Sequence, residues 1–256
     1  MATVHGPDLH APRYAASDVP GFCGIAPDRL RSWQAHGVVP TSWGRPATMV
    51  SWLELLVATL LGAFSDQVHN PGRTARLSEL LFRVIETGRS CAVDIDILPT
   101  ALIHAHLRQA DQDGAYPAVA TRFAFDPSFA LFKSYADYRA CVDPCALGPD
   151  ARLRAAIDRI MFEDVNDLEL FCDLANPYYL DPQEPQDVVW AVYAIEPALF
   201  VSALPDTGAA LADPADGTPA LSWTCLALGT AVRSLAARTR SARAHPVAPG
   251  AEGSRR

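Results

Sequence analysis

Residues 15–40 read AASDVPGFCGIAPDRLRSWQAHGVVP, a pattern of two short helices meeting at a glycine. Ser17 is placed to cap the first helix, and Gly24 supplies the permissive backbone that a tight interhelical turn needs. Pro27 suits a first helical position, where its missing amide is no loss. Gly37 suits the left-handed residue that closes a helix, and Pro40 blocks continuation, so a second helix is predicted over Pro27 to His36. Leu30 and Trp33 are three apart and share a face that can pack on helix one. Arg29 and Arg31 then point elsewhere, toward phosphates or base edges, which is the layout of a recognition helix. An ordinary helical hairpin with two solvated arginines has the same local pattern, and that alternative stays open at this point.

Working outward, residues 41–48 (TSWGRPAT) form a turn-rich segment holding Trp43 and Arg45, well placed to be a wing. The following run, 50–64, opens with Ser51 and Glu54 in the S-x-x-E spacing of a capping box. Its apolar face is nearly continuous, so this third helix is expected to be buried.

Gly24-Ile25, Pro27, Leu30-Arg31, Trp33 and Gly37-Val38-Val39-Pro40 together resemble the signature of the MerR-type winged helix-turn-helix superfamily, over about the first quarter of the chain. The resemblance implies a DNA-binding transcriptional regulator in which Arg31 and its neighbours contact the DNA backbone and residues 41–48 act as the wing. The remainder would sense a signal or dimerise. Candidate DNA-binding residues are Ser17, Pro27, Asp28, Arg29, Arg31, Ser32, Trp43 and Arg45. The chain departs from that pattern at Pro20-Gly21, which leaves helix one about a turn long. It also lacks the usual aromatic cluster in the wing and the long heptad-patterned dimer helix. A second, looser likeness is to VapB-like helix-turn-helix antitoxins, carried by Val50 to Ala58, by Trp33 and by the phrase YPAVATRFAFD at 116–126. It implies a small toxin protein as an additional partner.

Charge is unevenly spread. Residues 1–76 hold 6 Lys/Arg and 5 Asp/Glu, residues 77–232 hold 9 and 23, and residues 233–256 hold 6 and 1, giving +1, −14 and +5 within the total of −8. An acidic middle repels nucleic acid, so DNA contact is expected from the first segment, with the basic end either assisting or forming a solvated tail. Because the first segment is only weakly basic, a homo-oligomer is expected, which doubles the phosphate contacts. No apolar run reaches the roughly 18 residues needed to span a bilayer, so no membrane partner is expected and the cytoplasm is the default.

Beyond residue 70, helical periodicity runs from Thr74 to Glu86, with Gly88 expected to end it. Residues 92–97 (AVDIDI) alternate like a half-buried strand, with Asp94 and Asp96 on one face. Pro99 is expected to start a helix through about Gln109. A short strand is predicted at 122–126, and an amphipathic helix at 150–162 with Leu153, Ile157, Ile160 and Met161 inward. Residues 188–195 and 198–204 read as adjoining strands, or as one strand interrupted at Pro197. A loop is expected at 206–219 and a terminal helix at 221–240. The fold class is therefore α+β: a flexible start (1–12), a winged helix-turn-helix module (13–70), a mixed and acidic α+β domain (74–240) and a disordered basic tail (241–256).

Enzymatic constellations are sparse. Glycine-rich nucleotide loops, a nucleophile elbow and an H-E-x-x-H helix are all missing from the sequence, so no catalytic residue, cofactor or metal ligand is assigned. The six cysteines are dispersed, and only Cys141 and Cys145 lie close, at a spacing unlike C-x-x-C. His104 and His106 share one face of a strand or sit two apart on a helix, where the spacing is poor for one metal ion. The cluster at 163–169 (EDVNDLE) lacks the glycine of a calcium loop, and suits a solvated or partner-facing acidic face instead. Three function classes remain: a regulator, an antitoxin that binds operator and toxin, or an enzyme with an incidental N-terminal motif.

Overall fold

The structure is a computed structural model that describes residues 9–43, 45, 48–121, 131–146, 151–160, 165–176, 188–195, 198–204 and 223–244. Helices dominate, with two small antiparallel sheets, an arrangement compatible with the broad α+β class. In chain order the elements begin with β1 (Tyr14–Ala15), a 3-10 turn (Ala16–Asp18), α1 (Val19–Cys23), α2 (Pro27–Ala35), β2 (Met49–Val50), α3 (Trp52–Val68) and α4 (Pro71–Cys91). Helices α5 (Leu98–Gln112), α6 (Tyr116–Ala120), α7 (Tyr135–Ala146), α8 (Ala151–Arg159) and α9 (Val165–Leu174) follow. The chain then forms β3 (Val189–Ile195), β4 (Ala198–Leu204), β5 (Trp223–Ala227) and α10 (Leu228–Ala244).

Two compact units result, residues 1–82 with 177–256, and residues 83–176. This differs from the division between residues 70 and 74 expected from the sequence. The boundary falls within α4, and the C-terminal strands and helix join the N-terminal unit instead of forming a domain with residues 83–176. Hydrogen bonds across the long sequence gap mark that return, from the Gln67 side chain to the Cys225 carbonyl (3.5 Å) and from Arg238 to the Phe22 carbonyl (3.3 Å).

In the first unit α3 is the core element. Ser51 accepts from the Glu54 amide while the Glu54 carboxylate accepts from the Ser51 amide (2.7 Å), so the predicted capping box is present. Leu53, Leu55, Leu56, Leu60, Leu61 and Phe64 are buried along it, as a helix apolar nearly all round requires. Just before α3, β2 pairs antiparallel with β1 through Tyr14↔Val50 and Ala15↔Met49. The second sheet has β3 in its centre, flanked by β4 and β5, both antiparallel to it. The two runs thus form two adjoining strands, Val189–Ile195 and Ala198–Leu204. Trp223 to Ala227 is a strand and not the start of the terminal helix, because its residues hydrogen-bond along β3 in the register Tyr193↔Trp223 to Val189↔Ala227.

In the second unit α4 runs past Gly88, which does not end the helix. Built on Gly88, a Cβ would lie 2.3 Å from the Phe171 ring, so the glycine is a packing site for the α9 aromatic. Residues 92–97 form no strand. Ala92 closes α4 in the left-handed region (φ 49°), and the Asp94 carbonyl accepts from the Ile97 and Leu98 amides in a turn that launches α5. Asp94 and Asp96 therefore share no strand face. Leu107, Tyr116, Ala120, Tyr135 and Tyr138 form a buried cluster between α5, α6 and α7. Ile157 and Ile160 are buried as expected, whereas Leu153 is only half-buried. The readings at 1–8, at 122–126, at Met161, at Glu163 and Asp164, at 206–219 and over the last twelve residues lie outside the described residues.

Candidate nucleic-acid interface

Helix α1 ends after five residues because Gly24 turns left-handed (φ 70°), with the Gly24 and Ile25 amides both donating to the Pro20 carbonyl. Ala26 then leads into α2 with Pro27 in the first turn, as the sequence predicts. At the far end His36 closes α2 and Gly37 is left-handed (φ 69°), which lets the Val38 amide reach the Trp33 carbonyl at 2.8 Å. Leu30 and Trp33 are buried, while Pro27, Asp28, Arg31, Ser32 and His36 are exposed and Arg29 is half-exposed. One side of α2 is committed to the core and the other is polar and open to solvent.

Two candidates sit differently from their predicted roles. Ser17 lies within the 3-10 turn and its hydroxyl hydrogen-bonds the Asp18 carboxylate (3.2 Å). Asp18 takes the N-cap position of α1, but its carboxylate makes no capping bond to the helix amides. Trp43 is only 2 % exposed, its ring meeting Phe82 edge-on at 5.9 Å and its carbonyl accepting from the Gln34 side-chain amide. An indole sunk in the core cannot touch DNA from a wing. Arg45 is exposed, in a succession of turns (Trp43 amide to Pro40, Arg45 to Ser42, Thr48 to Arg45) that delivers the chain to β2.

The electrostatics of this surface are balanced. Arg29 pairs with Asp66 of α3 at 2.5 Å, and Arg31 pairs with Asp28 one turn before it on α2. The ring of His36 bonds the Ser32 carbonyl at 2.7 Å. Beneath the turn, Cys23 is buried, its thiol donating to the Leu55 carbonyl, and burial pushes its pKa up to about 12, so it stays neutral and unreactive. What the sequence reading did not locate is Arg238 of α10. Its guanidinium lies where a Cβ on Gly24 would be, 2.7 Å from Nη1, and donates to the Phe22 carbonyl. The available signal was the basic run from Arg233 onward, which carries no information about where it docks.

No rival site assembles among the described residues. His104 and His106 lie on α5, as one of the two readings had it. His104 is buried with Nδ1 3.2 Å from the Tyr135 hydroxyl, and His106 is 2.7 Å from the Glu169 carboxylate. Asp94 is 3.4 Å from Arg152. Cys141 and Cys145 fall in α7, in a part whose side chains lie outside the described residues. Among the described residues no group of three or more His, Cys, Asp or Glu converges as a metal site would need, and no helix is long and apolar enough to cross a membrane. Comparison of the chain with protein-family models, with curated proteins and with solved structures finds no match.

Proposed function

We propose that the chain is a DNA-binding transcriptional regulator that reads duplex DNA with α2. The observation that carries this is the two-sidedness of α2 behind a glycine turn: Leu30 and Trp33 inward, Asp28, Arg31 and Ser32 outward. Pro27 and Arg29 flank that surface, and Arg45 adds a cation from the turns before β2. Ser17 and Trp43 drop out, the first spent on Asp18 and the second buried. Residues 17–40 hold two Asp and two Arg, so one copy offers little net attraction to phosphate. This favours a homo-oligomer spanning two half-sites.

Residues 83–176 carry 9 Lys/Arg against 15 Asp/Glu, a net −6 that repels nucleic acid. That unit is assigned to signal sensing or to a basic protein partner, and the latter is the antitoxin variant of the same reading. The test is binding of the purified chain to a labelled duplex from upstream of its own coding region, beside a scrambled duplex, across a salt series. Tighter binding to the upstream duplex, weakened by Arg31→Ala, supports the reading. Absence of binding even at low salt overturns it and leaves residues 15–64 a protein-interaction unit.

A further inference from the structure

We propose that Arg238, contributed by the C-terminal helix α10, is a phosphate-contacting residue of the α1–α2 DNA surface, so that both ends of the chain form one interface. This rests on the DNA-binding reading above and adds to it a residue 200 positions away from that motif in sequence.

Charge makes the case. Within residues 17–40 the acidic Asp18 and Asp28 cancel Arg29 and Arg31, and Asp66 draws Arg29 toward α3. A phosphate approaching α2 must compete with a carboxylate for each arginine, and taking Arg31 leaves Asp28 facing the phosphate. Arg238 is held otherwise. Its hydrogen bond goes to a neutral carbonyl, that of Phe22, so the bond fixes its position without cancelling its charge. The position is specific: the guanidinium rests against Gly24, three residues before Pro27 opens α2, and Arg238 is exposed. A planar fork with donors to spare, fixed at one corner and open to solvent, suits a phosphate oxygen.

Sequence order hides this, but packing shows why it is stable. Leu235, Ala236 and Thr239 are buried on α10, with Arg238 at the edge of that face, its stem on protein and its head toward water. Helix α10 packs on α1, which ends at the Gly24 turn, and on α3.

Arg238 could instead serve only to cap the α1 carbonyl, and the experiment separates the two roles. Binding of the full chain to the upstream duplex and to a scrambled duplex is measured from low to moderate NaCl for the wild type, Arg31→Ala, Arg238→Gln and Arg238→Lys, with a thermal melt of each protein. Gln keeps a donor for the Phe22 carbonyl but removes the charge. Lys keeps the charge. The expected result is that Arg238→Gln lowers the slope of log K against log salt by about 1, equally on both duplexes, while Arg238→Lys keeps the wild-type slope. An unchanged slope in Arg238→Gln, with Arg31→Ala still weakening binding, overturns the inference and leaves the α2 reading standing. A slope lost equally in the Gln and Lys variants, with lowered melts, makes Arg238 a structural cap and also overturns it. Wild-type protein that binds neither duplex overturns both proposals.

Discussion

Individual arginines of the two compact units are held in different ways. In residues 83–176 several of the described arginines join distant parts of the chain. Arg83 grips both oxygens of Asp167 (2.7 and 3.1 Å), Arg108 reaches the Ile160 carbonyl (2.9 Å), and Arg159 donates to the Cys91 and Ala92 carbonyls where α4 ends. A cation at a helix C-terminus satisfies orphan carbonyls and complements the helix dipole. In the N-terminal unit, Arg31 meets only Asp28 on its own helix, with the two side chains 74 % and 87 % exposed. A guanidinium whose fork is spent on another segment is occupied by the fold, whereas one paired a single turn away, or one that is held by a single bond and exposed like Arg238, is available to a ligand. By that criterion Arg83, Arg108 and Arg159 staple the second unit, while Arg31 of the first presents.

The largest expected effect tests the stapled unit. Gly88→Ala puts a methyl 2.3 to 2.4 Å from three atoms of the Phe171 ring. The overpacking should lower stability by about 3 kcal/mol, outweighing the roughly 1 kcal/mol that alanine gains inside a helix. Chemical denaturation followed by circular dichroism measures it, and adding Phe171→Leu should restore much of the loss. A Gly88→Ala protein as stable as the wild type would mean that α4 and α9 are not packed as tightly as described.

A smaller effect compares the units through their buried thiols. Burial raises Cys23 in one unit and Cys172 in the other to about 12, from an ordinary value near 9. Both folded values are raised, so the stability each thiol contributes is complete below about pH 9 and is lost as pH climbs from 9 toward 12. The loss is at most about 1.4 kcal/mol per pH unit for each thiol, and less for Cys172, which is only half-buried. Melts between pH 8 and 10.5 should therefore fall more gently in Cys23→Ala than in the wild type. Identical slopes would place the Cys23 thiol in water.

Local signals in the sequence were sufficient where the cause is local. The bounds of α2, the left-handed Gly24 and Gly37 and the Ser51–Glu54 box depend on residues within a few positions of each other, and all are seen. Readings failed where the cause is remote. Gly88 looked like a helix stop because the Phe171 ring that occupies its face lies 83 residues on. Trp223 to Ala227 is a strand through pairing with β3, which no window around residue 225 contains. At 92–97 the alternation of apolar and acidic residues was real, but Asp94 spends its carbonyl starting a turn into α5. Trp43 illustrates the same limit at the site: aromatic residues mark contacts with ligands and with cores alike, and only Phe82 decides between them. Arg238 is the site residue that sequence could not supply, since nothing near it encodes its docking at the α1 turn.

The smallest effects bear directly on the opening contrast. Asp167 is 16 % exposed at its side chain and gripped by two nitrogens of Arg83, which is itself 60 % exposed. Removing the staple with Arg83→Ala should cost about 1 kcal/mol, the upper end for an ion pair this close to solvent. Arg31→Ala removes a pair exposed at both ends and should change stability by less than about 0.5 kcal/mol. In DNA binding the order should reverse, with Arg31→Ala weakening it and Arg83→Ala leaving it unchanged. Paired measurements of melt and affinity on these two variants thus form a crossed test. Should both arginines move stability alike and neither move binding, the division between stapling and presenting arginines would be a matter of geometry alone, with no consequence for function.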